Sequence, residues 1–193
     1  MGESNAFEIV PLSELVEVRI GKTPSRADPR FWGGEHPWAT IADLNQGRDV
    51  VLTKEGITDE AIACCKPYVV EPGTLLMSFK LSIGKLAFAG VPLVTNEAIA
   101  AFPVRDETVT SPEYLFYALQ VVDLIAEGNR AAKGRTLNKQ IMLDLPVPFV
   151  RDREVQDRIV ERLDAAYRLR VARFQSARLA EGIEAALLRE AFE

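Results

Sequence analysis

The chain has 193 residues, 48% apolar and 26% charged, the composition of a globular protein long enough to bury a core. Its formal net charge is −5 and its pI about 5.1, so a polyanionic partner must meet a local basic surface and not the field of the whole protein. No apolar run approaches the ~18 residues of a membrane span, and the opening MGESNAFEIV carries Glu3 and no signal-like apolar stretch, so no membrane association and a cytoplasmic location are expected.

A short helix is predicted around residues 12–18. Gly21-Lys22-Thr23-Pro24 and Pro29-Arg30-Phe31-Trp32-Gly33-Gly34 read as loops with anchoring aromatics, followed by a short strand at residues 38–41. Trp32 and Trp38 read as core anchors. The lone histidine, His36, lies in a loop-like Gly-Gly-Glu-His-Pro-Trp stretch and has no second histidine for a metal site or a Ser-His-Asp arrangement. Cys64 and Cys65 are sequence neighbours, which bridge only under strain, so both read as free, buried or half-buried thiols.

Residues 74–83 read as a strand ending at Gly84. Met77, Phe79, Leu81 and Ile83 fall on one face, and Ser78, Lys80 and Ser82 on the other. Residues 85–89 and 98–102 read as further strands. Ser111-Pro112-Glu113 opens a helix, with serine as N-cap, proline at the first helical position and an acid in the first turn. The helical period runs over residues 114–126, and Gly128 closes it. Leu145-Pro146-Val147-Pro148-Phe149 is an extended connector, because each residue before a proline is disfavoured in a helix.

The texture then changes. From residue 152 to the end there is no proline and one glycine, Gly182. Val155, Ile159, Leu163, Ala166, Tyr167, Phe174, Ala177, Ile183 and Leu187 recur at steps near three and four, with a gap around residues 178–182. This predicts one amphipathic helix of about 40 residues, about 60 Å long. Such a helix outreaches the domain before it, so its apolar residues need a second helix, and Val155, Ile159, Leu163, Tyr167, Phe174, Ile183 and Leu187 are the candidate contacts. The chain thus divides into a mixed α/β domain, residues 1–150, and a helical part, residues 151–193. Residues 151–193 hold nine arginines, no lysine and nine acids, a balance suited to charge pairs between helices.

Two windows lack acids. Residues 72–96 carry Lys80 and Lys85, and residues 128–143 carry Arg130, Lys133, Arg135 and Lys139. Hydroxyls and lysines suit phosphate oxygens, while arginine and asparagine can read base edges through paired hydrogen bonds. The candidate DNA-binding residues are therefore Ser78, Lys80, Ser82 and Lys85 in the first window, and Arg130, Lys133, Arg135, Asn138 and Lys139 in the second. Lys22, Ser25 and Arg26 form a third loop. Catalytic motifs are missing: no phosphate-binding Gly-x-x-x-x-Gly-Lys-Ser/Thr, no Gly-x-Ser-x-Gly, no His-Glu-x-x-His, no Asn/Asp-Pro-Pro-aromatic segment and no Asp…Glu-x-Lys cluster. No catalytic and no metal-binding residue is assigned.

The order of short segments resembles a known family. It runs Gly21-Lys22-Thr23-Pro24; Phe31-Trp32-Gly33-Gly34; Trp38 with Ile41-Ala42-Asp43-Leu44; residues 73–80; Ile83-Gly84-Lys85; Thr95-Asn96-Glu97-Ala98-Ile99; residues 114–119; Leu137-Asn138-Lys139; Leu145-Pro146-Val147-Pro148; and residues 154–160. This is similar to the specificity (S) subunit of type I restriction–modification systems, over about residues 7–190. The resemblance implies a target recognition domain reading half of a bipartite site in double-stranded DNA. It also implies a conserved helix that forms an antiparallel, coiled-coil-like pair and docks methyltransferase (modification) subunits. The chain would be non-catalytic and hold no cofactor. S-adenosylmethionine, ATP and Mg would belong to partner methyltransferase and restriction subunits that methylate adenine and cleave. Full S subunits have two recognition domains and two helices, so one of each implies a half-size form or a fragment that pairs with a second copy or another specificity half. The family's Glu-Gln pair at the helix start is split here as Glu154-Val155-Gln156. Three other readings remain: an enzyme of unrecognised type, the recognition module of a stand-alone methyltransferase or other phage-defence system, and an assembly protein that does not bind DNA.

Overall fold

The computed structural model describes residues 7–131 and 137–192, without the side chains of residues 128–131. Its first elements are β1 (Glu8–Pro11), α1 (Leu12–Leu15), β2 (Arg19–Ile20), β3 (Trp32–Ala39), β4 (Asp49–Val50), β5 (Glu55–Ile57), α2 (Asp59–Cys65) and β6 (Val69–Val70). There follow β7 (Leu75–Ser78), β8 (Leu86–Ala89), β9 (Leu93–Thr95), β10 (Ile99–Phe102), α3 (Pro112–Gln120), α4 (Leu124–Ala131), α5 (Lys139–Leu143), β11 (Pro146–Phe149) and α6 (Arg153–Phe192). The mixed α/β architecture with one long C-terminal helix is the one expected. The chain divides after Arg153 into two compact units.

In the first unit the described strands form three sheets. One is five-stranded in the order β2-β10-β7-β8-β4, one four-stranded in the order β5-β3-β9-β6, and β1 pairs with β11. Neighbours are mostly antiparallel, but β3 runs parallel to β9 and β4 parallel to β8. Two cores result. Leu76, Ala87, Ala89, Ile99 and Ala101 pack with Val50, Val70 and Leu93, while Phe31, Trp38, Ile57, Ala61 and Val94 pack under the four-stranded sheet. The central strands β7, β9 and β10 are near-continuously apolar because every residue in them is buried.

Several expectations change. The helix near the N-terminus is a single turn, Leu12–Leu15. Trp32-Gly33-Gly34 is not loop but the start of β3, which runs eight residues, and Gly33 (φ +83°) accompanies a register shift between Trp32 and His36. His36 therefore sits in a strand, with Nε2 2.7 Å from Asp59 Oδ1. Cys64 is exposed rather than buried; Cys65 is half-buried, and burial, foremost, raises its thiol pKa. Ser111 caps α3 as predicted, its hydroxyl accepting from Tyr114 N. The helix then stops at Gln120 and does not run on to Gly128. Asp123 Oδ1 accepts from Ala126 N, starting α4 as a separate helix with Gly128 inside it. The proline-rich connector is β11, registered with β1 from Glu8↔Phe149 to Pro11↔Pro146.

Candidate nucleic-acid interface

The loop at residues 21–26 is stitched to the strand edge by its backbone. Gly21 N donates to Ile99 O at 3.1 Å and Lys22 N to Thr95 O at 2.8 Å. The approach requires glycine: a Cβ on Gly21 would stand 2.1 Å from Thr95 O and 2.3 Å from Asn96 O. Two indoles brace the loop from below. Trp38 Nε1 donates to Lys22 O at 3.0 Å and Trp32 Nε1 to Ser25 O at 3.1 Å, and the rings meet edge to face with centroids 5.0 Å apart. The Arg26 guanidinium lies 3.7 Å from the centre of the Trp32 ring and pairs through both terminal nitrogens with Glu55. That pairing raises the pKa of Arg26 and holds the Glu55 carboxyl below the usual range. Lys22 Nζ donates to Cys65 O at 3.0 Å, at the end of α2, where helix carbonyls lack intrahelical donors. Ser25 is exposed. Lys22 and Arg26 thus each spend part of their donor set inside the domain.

The predicted strand at residues 74–83 ends early. β7 stops at Ser78, which is fully buried, and the chain then turns back. The Ser78 hydroxyl donates to Ser82 O and accepts from Lys85 N at 3.0 Å, and Gly84 N donates to Ser78 O at 2.8 Å. Ser78 is therefore the floor of a loop and not part of an exposed polar face, because its hydroxyl closes the turn. Leu81, expected on the apolar face, is 90% exposed. Lys80 is half-buried with its ammonium 5.4 Å from the Phe79 ring centre, and Ser82 is exposed. Lys85 is half-buried and donates to Asn45 Oδ1 at 2.8 Å.

These stretches meet at residues 95–98. Phe79 N donates to Ala98 O at 2.9 Å, and Leu137 N donates to Phe79 O at 3.2 Å, bringing residue 137 of the second basic window beside Lys80. Leu124 of α4 lies against Gly84, its Cδ1 3.0 Å from where a Cβ would stand. Glu97 joins the loops: it accepts from the Thr23 hydroxyl, which foremost holds its carboxyl below the usual range, and the Lys80 and Arg26 charges act in the same direction. Sequence reasoning missed Glu97 as a site residue. It stood in a quoted motif, but nothing local separates a carboxylate shared by three loops from a solvated one. Asn138 caps α5 by accepting from Ile141 N at 2.9 Å, which occupies the oxygen expected to read a base, and Lys139 is exposed. Arg130 lies in α4; its side chain, with Lys133 and Arg135, falls outside the described residues.

A separate cleft of about 440 Å³ between the β6–β7 turn and the start of α3 is lined by Glu71, Glu107 and Glu113 with Arg153. Its carboxylates disfavour a polyanion.

In the second unit, α6 runs 40 residues, Arg153–Phe192. Val155 is buried and Ile159 and Tyr167 are half-buried, while Leu163 (40%), Phe174 (65%), Ile183 (54%) and Leu187 (59%) are exposed. The single predicted stripe resolves into two. At about 100° per residue, Val155, Ile159, Leu163, Tyr167 and Phe174 share an arc of about 120°, and Leu188 and Phe192 return to it. Ile183 and Leu187 fall on a second arc with Leu169 and Leu179, which were not singled out from the sequence, about 140° away. Among the described residues no helix is long and apolar enough to cross a membrane.

Comparison with known proteins places this geometry. The chain is 29% identical over 152 residues to the type I restriction enzyme MjaIX specificity subunit of Methanocaldococcus jannaschii, covering 74% of this chain and 34% of that protein. It superposes on the HsdS subunit of Thermoanaerobacter tengcongensis with a TM-score of 0.66 at 21% identity, over 92% of this chain and 41% of that one. A structure from work on complex assembly and conformational transition of the type I R-M system gives a TM-score of 0.69 at 21% identity, over 99% of this chain and 45% of that one. The chain thus spans about a third of the curated relative's length and under half of each solved chain. The family model for the type I restriction modification DNA specificity domain matches residues 5–178, and the chain belongs to that family.

Proposed function

We propose that this chain reads one half of a bipartite site in double-stranded DNA and presents that reading, through α6, to partner subunits. The observation that carries the proposal is the convergence of two cation-bearing stretches, at residues 22–26 and 79–85, on the edge at residues 95–98, with residue 137 bonded to the second of them at Phe79 O. Lysines there neutralise phosphates, and the exposed polar groups lie within reach of a groove. An acidic protein then binds DNA through this one region. The two apolar arcs of α6 suit two helical neighbours: a second copy or another specificity half in an antiparallel pair, and a methyltransferase subunit. The domain boundary near residue 150 separates reading from assembly. Catalysis belongs to the partners, with S-adenosylmethionine bound by the methyltransferase and ATP and Mg by the restriction subunit.

The test is the salt dependence of duplex binding. Lys80→Glu and Lys85→Glu should weaken binding to every duplex and reduce the log–log salt slope by about 0.9 per lost phosphate contact. Unchanged affinity in both variants would remove this loop from the interface. A chain that pairs through its helix yet binds no duplex, alone or with a methyltransferase subunit, would be an assembly protein instead.

A further inference from the structure

Two described residues other than glycine adopt positive φ: Lys66 (φ 45°) and Leu81 (φ 61°). Lys66 has a structural account. It ends α2 in the left-handed conformation, and its N–H closes the helix on Ile62 O. Leu81 has no such account. It ends no helix, and its side chain is 90% exposed, the most exposed large apolar side chain among the described residues. Each of these features costs free energy. A left-handed leucine crowds its Cβ against the backbone, and a leucine in water gains nothing from burial. Glycine or asparagine would turn the same corner more cheaply.

The loop that carries it is built, not loose. Ser78, buried, holds both limbs through Ser82 O and Lys85 N, and Gly84 N closes onto Ser78 O. Lys80 and Ser82 flank Leu81, and the stretch on both sides, residues 72–96, holds no acid. Leu137 donates its N–H to Phe79 O, so residue 137 of the second basic window lies beside the loop's base. An exposed apolar side chain thus stands between Lys80 and Lys85, in an acid-free stretch of an acidic protein.

From this geometry we infer that Leu81 is a specificity-determining residue: its side chain makes an apolar contact with a base edge in the recognised half-site, and a thymine methyl is the chemical match. The inference rests on the DNA-reading proposal above. Lys80 and Lys85 hold phosphates and position the loop without reading sequence, whereas a branched apolar tip in the major groove distinguishes thymine, the one base with a methyl group there. The left-handed backbone turns the side chain outward, and Ser78 keeps the tip from folding back.

The test selects duplexes from a randomised library with the full chain, alone and with a methyltransferase subunit, using wild type, Leu81→Asn and Leu81→Gly. Both variants suit the left-handed backbone, so thermal melting should hold or rise, and a folding defect cannot mimic the result. The wild type should yield a motif. The variants should yield the same motif relaxed at one position, with a loss of about 5- to 150-fold on the selected duplex and none on random duplex, the range of one mismatched base pair. Replacing thymine by deoxyuridine at that position should weaken the wild type and leave Leu81→Asn unchanged. An identical motif from all three proteins overturns the inference while leaving DNA reading intact. An equal loss on selected and random duplex also overturns it, making Leu81 a positioning residue. Relaxation over two adjacent base pairs with unstacking of that step, seen by 2-aminopurine fluorescence, replaces the methyl contact by a wedge and overturns it as stated. A wild type that selects no motif under either condition removes the DNA-reading proposal and this inference together.

Discussion

Gly21→Ala tests whether the loop at residues 21–26 is held by a close backbone approach. The new methyl carbon would stand 2.1 Å from Thr95 O and 2.3 Å from Asn96 O, about 1 Å inside contact, and both atoms are backbone at the end of β9. No rotamer relieves that overlap, so the loop must lift. Overpacking of this kind costs about 1–3 kcal/mol. Lifting also loosens Gly21 N→Ile99 O and Lys22 N→Thr95 O, each worth about 1 kcal/mol net. The expected destabilisation is about 2–4 kcal/mol, a fall of roughly 5–15 °C in Tm for a chain of this size. Denaturant titration followed by tryptophan emission reads it directly, because both tryptophans of the chain donate to this loop. Duplex binding should fall beyond what unfolding explains, since Lys22 and Arg26 move with the backbone. A variant within about 0.5 kcal/mol of wild type would refute the claim that the contact fixes the loop.

Further outcomes are expected. Glu55 and Glu97 both have lowered folded pKa values, so their contribution is complete above the ordinary carboxylate pKa of about 4.3 and is lost as pH falls through the lower folded values. Acidification below about pH 4.3 should therefore release the loop and change tryptophan emission reversibly; an acid transition identical in Glu97→Gln would argue against its part in this. Gly182 lies inside α6 with open space around it, so Gly182→Ala should stabilise by about 0.5–1 kcal/mol, measured by the loss of helical circular dichroism on heating. No gain would mean that the helix is strained there or already fixed by a partner. Asn138→Ala should cost about 1 kcal/mol through loss of the α5 cap, whereas Asn138→Asp keeps the cap; equal midpoints for the two would show that the cap contributes nothing.

What the sequence determines here is local. The proline-free run with apolar steps of three and four specifies α6, since helix periodicity needs only neighbours within a turn or two. Ser111-Pro112 marks the start of α3 because capping joins residues three apart. The acid-free windows and the order of short motifs pointed to the family and to the loops. What only tertiary structure decided depends on contacts between distant residues. The alternation from Met77 to Ile83 spells a strand, yet the buried Ser78 hydroxyl closes a turn there and leaves Leu81 exposed. The division of the helix at Asp123 is, by contrast, a local cap spanning three residues, legible in the sequence but passed over there. The candidate edge exists only because β9, β10 and the turn between them carry Thr95, Ala98 and Ile99 to the bases of loops 19 or more residues away in the chain. Each of those backbone pairings closes a long loop, a cost that composition and periodicity do not record.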